Sequence, residues 1–311
     1  MTVAFRFSCP ACSTALEPIA PDRLRCPSDG AVYPRRDGIW RFLLPAREQA
    51  LEQFMRDYEN VRRREGRGDS DSAYYRALPF RDLSGHFTAD WKIRAASFRV
   101  LADRLLPSWE ARLGRAGVAL DVGAGCGWLA YRLAQRGHSV AAIDLQTNSE
   151  DGLGAYVHYD AEFVPVQADF DGLPFPAGLV DLLVFNASLH YSTDYLVTLR
   201  EALRVLRPAG VLLVLDSPLY RRASSGQAMV REREAAFSRR FGFASNALAS
   251  EHYLTSDRLR ELASSLGIRW DLTYPRHGVR FAIRRWKTRL FGRREAARFP
   301  LIVARKEAGV P

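Results

Sequence analysis

The sequence lacks long hydrophobic runs and contains little cysteine. No stretch reaches the roughly 18 consecutive apolar residues that a membrane-spanning helix needs, and the first residues contain no apolar signal segment. We therefore expect no transmembrane segment and a cytoplasmic location. The four cysteines are too few to predict a disulfide framework in a chain of 311 residues.

Positive charge exceeds negative charge, because 45 Lys and Arg residues face 35 Asp and Glu residues and give a net charge of +10. Such a chain suits an anionic partner, whether nucleic acid, a lipid headgroup or an acidic small molecule. Residues 276–298 hold nine Arg or Lys residues against one acid, with Val279, Ile283, Trp286 and Leu290 at helical spacing. This pattern predicts a basic amphipathic helix, which would contact an anionic membrane surface or nucleic acid, or pack on the protein with its charges in solvent.

Three of the cysteines lie close together near the start of the chain. Cys9-Pro-Ala-Cys12 is a C-x-x-C pair. After thirteen intervening residues, the segment Cys26-Pro-Ser-Asp29 has Asp29 where a zinc ribbon has its fourth cysteine. An aspartate oxygen can bind zinc, so Cys9, Cys12, Cys26 and Asp29 form a candidate mixed metal site. The alternative is a degenerate ribbon that keeps its turns and holds no metal.

A glycine-rich turn follows an apolar run at residues 118–122. It contains Gly123, Gly125 and Gly127, and it leads into apolar residues at helical spacing and a second apolar run that ends at Asp144. This order predicts a strand, a tight turn, a helix and a second strand. Glycines in such a turn permit positive φ angles and a close ligand, so the unit is typical of a nucleotide-binding site.

Further apolar segments alternate with helical segments after this unit. We predict strands over residues 163–169, 179–186, 211–216, 268–274 and 301–304, with a helix over residues 195–206. The alternation predicts an α/β fold built on a doubly wound, mostly parallel sheet of seven strands. Ligands of such sheets bind at the carboxyl ends of the strands, where we expect Asp121, Asp144, Asp169 and Asn186 to meet.

The pattern Asp121-x-Gly123-x-Gly125-x-Gly127 resembles motif I of the class I S-adenosylmethionine-dependent methyltransferases. A dinucleotide-binding fingerprint fits less well, because Trp128 stands in place of its third glycine. The resemblance implies the Rossmann-like methyltransferase fold and S-adenosyl-L-methionine as the cofactor.

The cysteine spacing and this resemblance together predict a division of the chain into three parts. These are a zinc-ribbon-like module at residues 1–45, a helical linker and lid at residues 46–116 and a methyltransferase domain at residues 117–311. Residues 31–44 resemble the end of the small zinc-ribbon modules that accompany RNA and protein methyltransferases. The aromatic residues within 73–80 would line the acceptor pocket from the lid, or alternatively fill core.

The resemblance also implies the residues that bind the cofactor. They are Asp121, Gly123, Gly125, Gly127, Asp144, Leu145, Asp169, Phe170 and Asn186. The glycines would contact the methionine part of the cofactor, with Asp121 near its ammonium group. Asp144 would bind the ribose hydroxyls, and Asp169 would accept from the adenine amino group beside the backbone of Phe170.

The segment Asn186-Ala-Ser-Leu-His-Tyr191 ends the fourth predicted strand. Methyltransferases that modify exocyclic amines of nucleic acids carry Pro-Pro after this Asn or Asp, whereas Ala187 and Ser188 stand here. The segment resembles more closely that of the small-molecule and quinone methyltransferases. His190 and Tyr191 are therefore the candidate catalytic residues, with His190 either a general base or a structural residue.

These patterns together predict an S-adenosylmethionine-dependent methyltransferase that acts on a small-molecule or lipid-like acceptor. An rRNA or tRNA methyltransferase is the alternative enzyme, because the cysteine module and the basic surface suit RNA. A non-catalytic assembly factor that binds the cofactor is the alternative without enzymatic activity. Zinc in the N-terminal module is a possible second cofactor.

Overall fold

The computed structural model describes residues 5–243, 248–276, 278 and 294–306. Its helices are α1 (Pro45–Arg64), α2 (Ser72–Ala77), α3 (Thr88–Val100), α4 (Leu106–Leu113), α5 (Trp128–Ala134), α6 (Tyr195–Val205), α7 (Ala223–Phe241) and α8 (Ser256–Leu266). Its strands are β1 (Glu17–Ala20), β2 (Arg23–Arg25), β3 (Val32–Arg36), β4 (Ile39–Arg41), β5 (Val118–Val122), β6 (Ser139–Asp144), β7 (Val164–Gln167), β8 (Val180–Asn186), β9 (Leu206–Leu215), β10 (Leu219–Tyr220), β11 (Leu254–Thr255), β12 (Asp271–Thr273) and β13 (Leu301–Arg305). A π-helical segment, Leu101–Leu105, joins α3 to α4.

One large sheet organises the molecule, with the strand order β1-β2-β3-β4-β7-β6-β5-β8-β9-β13-β12. The seven predicted strands form the part from β7 to β12, where β13 runs antiparallel to both of its neighbours and the other pairs are parallel. The predicted α/β class and doubly wound sheet are therefore confirmed. The sheet has 11 strands rather than seven, because the N-terminal strands extend it beyond β7.

The central strands are buried on both faces, which explains their almost continuous apolar sequences. Successive residues of β8 alternate between two hydrophobic cores: Leu182 and Val184 belong to one, Leu183 and Phe185 to the other. Because side chains alternate across a strand, these cores lie on opposite faces of the sheet. The helices that follow the strands cover both faces and leave the carboxyl ends of the strands open to a ligand.

The N-terminal strands are attached to the sheet through β4, which pairs in parallel with β7. The backbone N–H of Phe42 donates to the carbonyl of Gln167 at 2.8 Å, and the N–H of Ser8 donates to the carbonyl of Pro174 at 3.0 Å. Phe7 packs against Phe175 with ring centroids 5.5 Å apart. This part of the chain therefore shares a hydrophobic core with the central sheet, and the domain boundary at residue 45 stays a prediction.

Capping residues in the sequence mark the start and the end of helix α8. Thr255 caps α8 by accepting from the N–H of Arg258 at 3.0 Å, and Gly267 ends that helix with a left-handed φ of 65°. The predicted fifth strand was too short at its start, because β9 begins at Leu206 and runs through Pro208 to Leu215. The predicted basic helix centred on Val279 to Leu290 lies outside the described residues.

Among the residues that the structure describes, no helix combines the length and hydrophobicity needed to cross a membrane.

Candidate active site

A pocket opens at the carboxyl ends of β5, β6, β7 and β8. It collects most of the residues expected to bind the cofactor: Gly123, Gly125, Asp144, Leu145, Asp169, Phe170 and Asn186. Asp121 and Gly127 lie behind this lining, Asp121 as a fully buried carboxyl at the end of β5. The parallel strands bring these distant sequence segments to one edge, as the switch point of a doubly wound sheet requires.

Two glycines shape the floor of the pocket. Gly123 has a φ of 75°, and a Cβ there would lie 2.2 Å from the Cβ of Ser188. Gly125 has a φ of 55°, and a Cβ there would meet only the carbonyl oxygen of Asp151, at 3.6 Å. The first glycine therefore allows close packing of the segment after β8 on the turn, and the second leaves open space above the backbone for a ligand.

Asp144 fixes the shape of the glycine turn from the end of β6. Its Oδ2 accepts from the N–H of Gly125 at 2.8 Å, and its Oδ1 accepts from the N–H of Gln146 at 2.9 Å. Burial raises the pKa of this carboxyl, and these hydrogen bonds partly offset that effect. A carboxylate offers about four acceptor positions, so Asp144 can still accept from two hydroxyl groups.

Helix α1 forms the roof of the pocket through Leu51, Phe54 and Tyr58. Ion pairs attach both ends of the helix to the pocket rim. Arg47 Nε lies 2.5 Å from Asp169 Oδ2, and Arg62 pairs with Asp151. Asp169 thus binds a guanidinium, and its expected role toward adenine stays a prediction.

Tyr191 lines the same pocket, and its ring contacts those of Phe54 and Tyr58 with centroids 6.0 and 6.1 Å away. His190 lies on the other side of this segment and lines a neighbouring cavity. Its Nδ1 is 3.3 Å from the hydroxyl of Ser217. The structure therefore separates the two candidate catalytic residues, although they are adjacent in sequence.

Comparisons with known proteins agree with this geometry. The family model described as "Methyltransferase domain" matches residues 120–214, which include the glycine turn and β5 to β9. The chain carries a class I S-adenosylmethionine-dependent methyltransferase domain.

Three relatives of this methyltransferase domain illustrate its range. The arginine-hydroxylase NDUFAF5 of Rattus norvegicus is 34% identical over 124 residues, which are 39% of this chain and 36% of that protein. A sarcosine/dimethylglycine N-methyltransferase of Halorhodospira halochloris is 31% identical over 180 residues, 54% of this chain and 60% of that protein. A solved putative sarcosine dimethylglycine methyltransferase from Galdieria sulphuraria superposes with a TM-score of 0.46 at 20% identity, over 67% of this chain and 86% of that one. The chain thus spans less than two thirds of the length of these curated relatives.

Two buried, unpaired acceptor atoms are suited to binding S-adenosylmethionine in the methyltransferase domain. Oδ1 of Asn186 lines the pocket, and Oδ1 of Asp121 lies beneath the glycine turn. Neither has a hydrogen-bond partner within the described part of the chain. An unpaired buried acceptor is costly, so a ligand that donates hydrogen bonds at this edge relieves both. Burial raises the pKa of Asp121 to about 7, which a nearby cation would reverse.

Several residues of the methyltransferase pocket were not found from sequence. Trp91 and Arg94 of α3 line it, and the guanidinium of Arg94 lies 4.6 Å from the Trp91 ring centroid. Unlike Arg47 and Arg62, Arg94 forms no ion pair with any described carboxylate. The residues of α1 that line the pocket recur at helical spacing, but such spacing does not show which surface a helix will cover.

The N-terminal cysteine cluster lies outside this pocket. The candidate ligand atoms of Cys9, Cys12, Cys26 and Asp29 all lie within 4.8 Å of one another. Two of the separations are 3.3 Å, from Cys9 Sγ to Asp29 Oδ2, and 3.5 Å, from Cys12 Sγ to Cys26 Sγ. Ligands of tetrahedral zinc are about 3.8 Å apart when Zn–S is about 2.3 Å, so the four side chains fit such an ion.

The aromatic residues expected in a lid lie mainly in the core. Tyr74 and Tyr75 are buried against the methyltransferase domain, and Tyr75 donates to the carbonyl of Glu150 at 2.7 Å. Phe80 is exposed. None of the three lines the pocket, and α1 provides the roof instead.

Proposed function

We propose that this chain transfers a methyl group from S-adenosylmethionine to a small-molecule or lipid-like acceptor. The proposal rests on the pocket at the carboxyl ends of β5 to β8, where the glycine turn, Asp144 and the unpaired Asn186 oxygen meet within the matched family region. The Halorhodospira relative, whose name gives small amines as acceptors, supports the acceptor class.

Each part of the pocket has a distinct task in this proposal. Asp144 binds the ribose, and the turn at Gly125 admits the methionine part of the cofactor. When bound, the cofactor supplies an electrophilic methyl group on a sulfonium with a good leaving group. The residues of the chain orient the two reactants in line, and the apolar roof of Leu51, Phe54 and Tyr58 excludes water.

In this proposal Arg94 binds the carboxylate of the methionine part of the cofactor. It is the pocket guanidinium without a described carboxylate partner, so an anionic group of the ligand completes its environment. The change Arg94→Gln should weaken cofactor binding about tenfold or more, since a charge-assisted hydrogen bond contributes about 1.5–3 kcal/mol. Calorimetric titration measures this, and an unchanged dissociation constant would remove Arg94 from the cofactor site.

The backbone after Asn186 argues against exocyclic amine methylation of nucleic acids. Ala187 has a φ of 56°, which a proline ring cannot adopt, and the Ser188 hydroxyl donates to the carbonyl of Val122 at 2.5 Å. The Pro-Pro segment of such enzymes would therefore not fit this turn.

The function is tested with S-adenosylmethionine that carries a labelled methyl group. The purified chain is incubated with separate small-molecule, lipid-vesicle and RNA fractions of a bacterial extract. We expect label in the small-molecule or lipid fraction, and none with Asp144→Ala. Label in RNA would establish the alternative enzyme, and cofactor binding without any transfer would support an assembly factor. The rat relative is named as an arginine hydroxylase and not as a methyltransferase, so the absence of transfer is an outcome that the test must be able to detect.

We also propose that Cys9, Cys12, Cys26 and Asp29 bind one zinc ion. Their mutual distances support the proposal. Hydrogen bonds with Thr14 lower the pKa of the Cys12 thiol to about 7, whereas burial raises the pKa of the Cys26 thiol to about 11, so zinc binding would displace a proton from Cys26. Metal analysis of the purified chain should give about one zinc per molecule. A well-folded preparation that binds no zinc would identify the segment as a degenerate ribbon.

A further inference from the structure

A second cavity lies beside the cofactor pocket, where β8 and β9 end. His190 borders it, while the adjacent Tyr191 borders the cofactor pocket. The remaining wall includes Tyr220 from β10, Arg233 from α7 and His252 just before β11. His190 and Tyr191 thus each border one space, with ring centroids 4.6 Å apart, so a ligand in the second cavity would lie beside one in the cofactor pocket.

Two nitrogen atoms of side chains in this cavity have no hydrogen-bond partner among the described residues. His252 is only 5% exposed, and its Nδ1 has no hydrogen-bond partner among the described residues. The buried Nε of Arg233 is also unpaired within the described ranges, and the closest described carboxylate to its guanidinium is that of Glu234, 3.5 Å from Nη2. Each nitrogen can donate a hydrogen bond, and leaving such a donor unpaired in a buried site is costly.

The other charged groups of the cavity already have partners. Arg294 Nε lies 2.8 Å from Glu232 Oε2, and Asp216 accepts from the hydroxyl of Ser97 at 2.5 Å. Arg233 therefore remains the cation with the weakest counterion in the wall.

The surroundings of His190 show the same excess of positive charge. Burial, followed by Arg233, His252 and Arg94, lowers the pKa of His190 to about 3. Burial and the charge of Arg233 likewise lower the pKa of His252 to about 4. Both imidazoles are thus neutral at physiological pH, and Arg233 contributes to lowering both pKa values, although Glu234 acts in the opposite direction on His252.

We propose that this cavity binds an anionic group of the methyl acceptor, a carboxylate or a phosphate, through the side chains of Arg233 and His252. The inference rests on the proposed methyl transfer and specifies its substrate as an acidic small molecule. A guanidinium and an imidazole are suited to this task, because charge-assisted hydrogen bonds to carboxylate or phosphate are about twice as strong as neutral ones.

The test measures binding of simple probes and needs no turnover. Benzoate, phenyl phosphate and benzyl alcohol are titrated by calorimetry into the full chain loaded with S-adenosylhomocysteine. We expect saturable binding of benzoate or phenyl phosphate and at least tenfold weaker binding of the alcohol. The stronger of the two acids shows whether the site prefers a carboxylate or a phosphate.

Variants identify the residues responsible. Arg233→Gln and His252→Asn should each weaken the anionic probe about tenfold, whereas Arg231→Gln on the exposed side of α7 should leave its affinity unchanged. An unchanged melting temperature and an unchanged affinity for S-adenosylhomocysteine confirm that each variant is folded. If Arg233→Gln does not fold, the result for His252→Asn decides the test.

Three results would overturn the inference: no saturable binding of either anion, equal binding of benzyl alcohol, or undiminished anion affinity in both variants. Loss of S-adenosylhomocysteine binding by the wild-type chain would instead contradict the proposed function. The two failures are therefore distinguishable in one set of titrations.

Discussion

Asp121 is the residue where burial most directly conflicts with charge in the cofactor site. It is fully buried, one of its oxygens accepts from the N–H of Ala130 at 3.1 Å, and burial raises its pKa to about 7. At pH 6 the carboxyl is therefore mostly protonated in the free protein. The ammonium of a bound cofactor stabilises the carboxylate and lowers this pKa, so binding should release up to about one proton.

The proton release can be measured by calorimetry at pH 6 in buffers with different ionisation enthalpies. The observed binding enthalpy should change with the buffer for the wild type and should not change for Asp121→Asn. A second consequence concerns stability. Because the folded carboxyl keeps its proton while the unfolded one releases it near pH 4, Asp121 lowers stability as pH rises from about 4 through about 7. Equal pH dependence in Asp121→Asn would contradict the assignment.

His190 can be tested separately as a base. If His190 is a general base, His190→Ala should reduce turnover by about 10²–10⁴ and leave cofactor affinity within about twofold. Since its pKa is lowered to about 3, turnover between pH 5 and 8 should show no limb from its protonation. Normal turnover of the variant, once an acceptor is known, would make His190 a structural residue.

The same lowered pKa has a consequence for stability in acid. Unfolded histidine binds a proton near pH 6.5, whereas folded His190 remains neutral to about pH 3. The unfolded state therefore binds more protons in this interval, and stability falls as pH decreases from about 6.5.

At the residue scale, the sequence predicted groups that follow strand ends and missed groups that arrive from elsewhere. Asp144 and Asn186 were found because each ends an apolar run and parallel strands end at one edge. Arg94 lies within a helix whose pattern says nothing about the pocket beside it. Its role depends on how α3 packs, which is a tertiary property.

At the scale of elements, α1 shows that helical spacing alone does not reveal which helix of the linker covers the pocket. Its pocket-facing residues Leu51, Phe54 and Tyr58 recur at helical spacing, and the helix spans Pro45–Arg64. The pairing of Arg47 with Asp169 and of Arg62 with Asp151 places that face over the pocket. Neither pairing is visible in local spacing, because the partners lie about a hundred residues apart in sequence.

In the N-terminal cysteine cluster, substitution of one residue should change the affinity for zinc in a known direction. Asp29 replaces a thiolate with an oxygen, and zinc in closed structural sites prefers sulfur or imidazole. The change Asp29→Cys should therefore tighten zinc binding by at least tenfold, and Asp29→Ala should weaken it. Competition with a chromogenic chelator measures both. Equal zinc affinity in all three proteins would exclude residue 29 from the ligand set.

At the scale of the whole molecule, the seven central strands followed from alternating apolar segments, but the extension to 11 strands did not. The four N-terminal strands are three to five residues long and three of them are largely exposed, so their sequences do not indicate which strand they pair with. That partner is β7, which would otherwise be an unprotected edge of the sheet. Pairing between distant edges depends on global packing, and only the structure reveals it.

This arrangement predicts that residues 45–311 will not fold as a stable monomer without the segment before them. Deletion would expose the β7 edge and remove Tyr33, Trp40 and Phe42 from the shared core, where each is at most 9% exposed. Burial of each such side chain contributes about 1.5–3 kcal/mol. The three together are therefore comparable with the whole free energy of unfolding of a typical domain, about 5–15 kcal/mol. We expect aggregation in size-exclusion chromatography and loss of the thermal transition.

The full chain with Cys12→Ser is the control, because it disrupts the metal ligands and keeps the core, and it should remain monomeric. A monomeric truncated protein with an unchanged melting temperature would show that the N-terminal strands are an independent module.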